Sequence, residues 1–180
     1  MKRFVVSLGV VGVLLTAGSA QAQRGPACTT LACDVQADWA MSVDGLMGIA
    51  NAMPEGEYGF KPTPAQQTFA ERIMHVVNFD VKTLSTLGAK TPAPTINAKA
   101  STKADVLAAM KAWSAYGAAV LKELTDQQLT ERISSLPFLG PTTSRTRVIS
   151  FMISHAQDIY GQLAVYLRLK GVTPPRSNRP

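Results

Sequence analysis

The chain has 180 residues, 18 Lys+Arg against 12 Asp+Glu, and a formal net charge of +6. Apolar residues make up 46%, enough for a packed core and too many for a wholly disordered chain. Charged residues are only 17%, without the basic face expected of a nucleic-acid binder, so nucleic acid is excluded as a partner. Two Cys exclude a disulfide-rich scaffold and a four-thiolate zinc site, and two His limit a histidine-built metal site to two imidazoles.

Lys2 and Arg3 precede an apolar run from Phe4 to Leu15, and Ala20-Gln21-Ala22 closes it. A basic start, a short apolar run and a small-residue cleavage pattern are the parts of a secretory signal peptide. The run is shorter than the ~20 residues that span a bilayer. Cleavage is expected after Ala22, leaving no stable membrane anchor and a periplasmic or secreted protein. Losing Lys2 and Arg3 lowers the net charge from +6 to +4. In an oxidising compartment Cys28 and Cys33 are expected to pair, the alternative being two free thiols. Residues 23–172 read as one domain and 173–180 as a polar C-terminal tail.

Four helical patterns follow. The first runs from about Leu31 to Met53, with Trp39, Val43, Leu46, Met47 and Ala50 at helical spacing, and Pro54-Glu55-Gly56 stops it. Tyr58 and Phe60 lie in an ordered loop that could cover a bundle end. Thr63-Pro64-Ala65-Gln66 has the form of a capping box and starts a second helix that carries Phe69, Ile73, Val76 and Val77 to about Leu87. Ser101 or Thr102 caps a third helix holding Trp113, Tyr116 and Leu124. The segment from Thr125 to Thr142 is irregular. A fourth helix runs from about Thr143 to Lys170, with Gly171 as its C-terminal cap. Alternating runs are scarce, so strands are not expected. The fold class is all-α, an antiparallel four-helix bundle.

His75 and His155 each sit mid-helix in an apolar stretch, where facing helices of a bundle can converge on a metal. A catalytic zinc usually has three protein ligands and a water, so a third ligand must come from elsewhere. Asp158 lies three residues beyond His155 on the same side of its helix, as ligand or catalytic base. Glu71, one turn before His75, could ligate or orient the ring. The competing reading makes both histidines neutral core residues bonded to Asn78 or Gln162. Trp39 and Trp113 read as core.

The stretch His155-Ala156-Gln157-Asp158-Ile159-Tyr160-Gly161-Gln162-Leu163-Ala164-Val165-Tyr166-Leu167-Arg168 resembles the last helix of the DinB-like (YfiT-type) family. Ala52-Met53-Pro54-Glu55, Tyr58-Gly59-Phe60-Lys61-Pro62-Thr63-Pro64 and the helix bearing His75 are similar to its first loop and second helix. The resemblance implies an up-and-down four-helix bundle, often dimeric, with a divalent metal (Zn, Ni or Mn) on three histidines. His75 matches the helix-two ligand and His155 the first histidine of a His-x-x-x-His pair. The second position is Ile159, which cannot ligate. Asp158 stands where relatives carry an acidic residue. Within the shared string, Tyr160 could offer a pocket hydroxyl and Arg168 an anion contact. Packing is the preferred reading for both, with Gly161 permitting close helix approach.

The resemblance implies a metal-dependent enzyme of hydrolase-like or thiol-transfer type acting on a small molecule. Export disfavours thiol transfer, because the small thiols concerned are mostly cytosolic. The alternative is a non-catalytic periplasmic binding or stress-related bundle that has lost its metal.

Overall fold

A computed structural model of the chain describes residues 27–178, so the signal peptide expected over 1–22 lies outside the described residues. Thr30 caps α1 (Leu31–Ala52), its side chain accepting from the Cys33 amide. Asp126 Oδ1 accepts a second free amide of that helix end, from Ala32, at 2.8 Å. Cys28 and Cys33 are disulfide-bonded across the same cap. Pro54 ends α1. The Tyr58 hydroxyl then donates to the Ala50 carbonyl at 2.7 Å and closes that end of the core.

The second helix starts later than its sequence suggests. Thr63 and Gln66 form only an isolated turn, and residues 63–67 are all exposed, so a helix there would bury nothing. The capping box is instead Thr68 with Glu71, and α2 runs Phe69–Leu84. The amides of Phe69 and Ala70 donate to the carbonyls of Phe60 and Tyr58, which pins the loop onto the helix start. Thr102, one of the two caps expected, opens α3 (Lys103–Glu123).

The segment after α3 is more ordered than expected. Thr125 and Gln128 form a capping box for a short helix, α4 (Asp126–Thr130). A two-residue ladder then pairs β1 (Arg132–Ile133) with β2 (Thr143–Ser144), antiparallel, where no strand was expected. Arg145 explains this order: its guanidinium donates to the carbonyls of Leu87 and Gln128 and pairs with Glu131 at 2.9 Å. The last helix, α5 (Arg145–Leu169), therefore starts two residues later than the sequence reading, at the Ser144 cap. Gly171 ends it at φ +71°, with Val172 N–H on Leu167 C=O and Gly171 N–H on Arg168 C=O. That is the paired bonding of a glycine-terminated helix.

The fold is all-α apart from the small ladder, and the long helices form a helical bundle. Helices α1 and α2 each pack mainly against α3 and α5. Trp39 and Trp113 meet edge-to-face inside it, 5.2 Å between centroids. No helix among the described residues is long and apolar enough to cross a membrane. The polar tail turns back along the surface as a 3₁₀ segment, Pro175–Asn178, that packs on α1. Packing α2 beside α5 is what brings the two histidines together.

Candidate functional site

His75 projects from the middle of α2 between the buried Met74 and Val76, and is itself exposed. His155 projects from the middle of α5 and is half-buried. Their Nε2 atoms lie 3.1 Å apart, with ring planes at 84°. The pair therefore meets at the edge of the core rather than inside it. Burial, then the neighbouring charge of His75, pushes the His155 pKa below its ordinary value; Asp158 opposes this and Arg72 adds to it. This shift favours the neutral ring, whose tautomer sets which nitrogen donates and which accepts. Its Nδ1 is buried and has no hydrogen-bond partner.

The residues proposed around the pair behave differently from one another. Asp158 is exposed, and its Oδ2 accepts from Gln162 Nε2 at 2.8 Å. Glu71 is engaged by the Thr68 amide, which lowers its pKa, rather than by a histidine ring. Asn78 donates to the Ala98 carbonyl and not to a histidine. Ile159 is 2% exposed and belongs to the core. Tyr160 accepts from the Arg176 amide and carries the Arg176 guanidinium over its ring, while Arg168 donates to Ser177. Both serve packing of the C-terminal segment. Gly161 does not permit a close approach, since a Cβ there would meet nothing within 4 Å.

Sequence reasoning missed an aromatic wall. Phe151 stacks on His155 at 6.2 Å, and Phe79 meets the same ring edge-on at 5.2 Å. Phe138, 63% exposed, packs on Phe151 at 5.0 Å. The signal was present: Phe79 is four residues after His75 and Phe151 four before His155, so each ring shares a helix face with its histidine. Arg72, three residues before His75, also went unnoticed; its Nε is buried and without a partner.

Two nitrogens bound to one tetrahedral zinc, each about 2.0–2.1 Å from it, lie about 3.3 Å apart. The observed 3.1 Å is a direct hydrogen bond between the two rings, its donor set by the tautomer, and is close to the spacing of two neighbouring positions around such an ion. The set goes no further: among the described residues no group of three His, Cys, Asp or Glu could hold a metal.

The model of the DinB family matches residues 31–180. The chain belongs to the DinB family. Two solved DinB-like proteins share its fold. One, from Bacillus cereus ATCC 10987, is 18% identical with a TM-score of 0.68, covering 78% of this chain and 93% of its own. The other, YjoA from Bacillus subtilis, is 16% identical with a TM-score of 0.60, covering 77% and 92%. A comparison with curated proteins returned no match. The DinB family is generally metal-associated. This DinB chain retains two imidazoles and has isoleucine at the position where its resemblance places the third.

Proposed function

We propose that this DinB-family protein is an exported antiparallel four-helix bundle whose His75–His155 pair is a reduced divalent-metal site, with hydrolase-like chemistry on a small molecule as its activity. The observation that carries this reading is the 3.1 Å approach of the two Nε2 atoms. His75 and His155 would hold the ion, and its further positions fall to water or to donors of the substrate. A zinc, nickel or manganese ion in that position supplies Lewis acidity and an acidified water. Asp158, whose charge reaches His155, is the carboxylate available as a base; it is bonded to Gln162 and does not complete a three-residue ligand set. Export is supported by the signal-like start and by the Cys28–Cys33 bond. The bundle arrangement is supported by α1 and α2 each packing on α3 and α5.

A second reading, a non-catalytic binding bundle, is favoured by one feature: Ile159 fills the third ligand position with core packing. Zinc titration of wild type, His75→Ala and Ile159→His separates the two. The metal reading expects one zinc per chain, loss in His75→Ala, and at least about a tenfold gain in Ile159→His. Zinc binding that ignores both substitutions overturns it and leaves the binding bundle.

A further inference from the structure

His75 also lines a second space, adjoining the one it shares with His155. A groove of about 950 Å³ runs there between α2, the loop before it and the linker that follows it. Its wall is a single stripe of α2: Glu71, His75, Asn78 and Lys82 recur at intervals of four, three and four residues. The linker is held across the stripe by the Asn78 bond to the Ala98 carbonyl at 3.2 Å, and by Ala100, which is buried. Ala70 and Met74 lie buried beneath the groove, and the half-buried Phe79 supplies its apolar surface. This is the size and make-up of a small-molecule pocket, a mostly apolar cleft with a few polar groups.

The charges give it a direction. Lys82 and Lys99 both line the groove, both are exposed, and neither ammonium has an ion-pair partner among the described residues. The one acidic lining residue, Glu71, is engaged by the Thr68 amide and feels the charge of Lys61. It lies eleven residues from Lys82, about 16 Å along the helix, beyond the screening length at physiological salt. His75 and Lys82, seven residues apart, are separated by about 10 Å.

We propose that this groove binds an anionic amphiphile, a small molecule with an apolar body of about ten carbons and one anionic head. The head pairs with Lys82 and Lys99. The body lies along Phe79 and the methylene stem of Lys82, and its far end reaches His75. This goes beyond the metal reading and does not depend on it.

Calorimetric titration with decanoate in EDTA, below its micelle concentration, tests the groove alone. One decanoate is expected per chain, with decanol at least about fivefold weaker. Lys82→Glu with Lys99→Glu, both at exposed positions that leave the core intact, is expected to weaken decanoate about tenfold while leaving decanol unchanged. Phe79→Ala is expected to weaken both ligands. No decanoate binding, equal affinity for decanoate and decanol, or a double variant that binds decanoate as wild type does, overturns the proposal. Zinc titration of the same protein without EDTA reports on the histidine pair separately, so either site can fail without the other.

Discussion

Trp113 Nε1 donates to Asp80 Oδ2 across 3.1 Å, and both residues are wholly buried. The other carboxylate oxygen, Oδ1, has no hydrogen-bond partner. Burial raises the Asp80 pKa well above the ordinary carboxylate value, and the single indole bond only partly offsets that. The native state therefore holds this proton where the unfolded chain releases it. The stability this lends is fully present below the unfolded value near 4 and is lost as pH rises through the higher folded value, by up to about 1.4 kcal/mol per pH unit. Asp80→Asn keeps the shape and removes the titration. Thermal unfolding from pH 4 to 9 is expected to show the variant gaining on wild type as pH rises. Parallel curves would contradict this.

Gly117 lies against Trp39. A Cβ on Gly117 would come within 2.1 Å of the indole Cζ2, and the rigid ring cannot yield as a flexible side chain would. Gly117→Ala is expected to cost about 1–3 kcal/mol. Gly161→Ala, in open space on α5, is expected to stabilise by about 0.5–1 kcal/mol through helix propensity. Chemical denaturation of the two variants checks the opposite signs.

Arg176 holds the C-terminal segment. Its guanidinium donates to the Met41 carbonyl and to Gln157, and lies over Tyr160 and against Gly45. Arg176→Ala is expected to cost about 1–2 kcal/mol and to expose the amides of residues 176–178 to hydrogen exchange. Gly45→Ala is expected to give the same exchange pattern, because its methyl would displace the guanidinium. Unchanged protection of the segment in either variant would contradict the contact.

The long helices were legible in the sequence because each carries apolar residues at helical spacing, and α1 and α5 stop at Pro54 and Gly171. The start of α2 was not. Thr63-Pro64-Ala65-Gln66 has the right letters for a cap, but the residues after it bury nothing, and Thr68 with Glu71 stands where Phe69 and Ala70 enter the core. The β1–β2 ladder was invisible because it depends on Arg145 reaching Leu87 and Gln128, bonds between segments far apart in the chain. Within the site, His75 and His155 could be paired from their mid-helix positions. That His75 is exposed, that Asp158 turns to Gln162, and that phenylalanines flank the pair follow from how α2 and α5 are rotated against each other. A linear pattern does not record that rotation.

The chain has two histidines, so its imidazole nitrogen spectrum holds two rings. Long-range proton–nitrogen NMR at pH 7, with zinc added to one equivalent, reads the central relationship directly. The account predicts that the Nε2 resonances of His75 and His155 shift together and saturate at one zinc per chain. A shift confined to one ring, or no shift at either Nε2, would contradict the paired site.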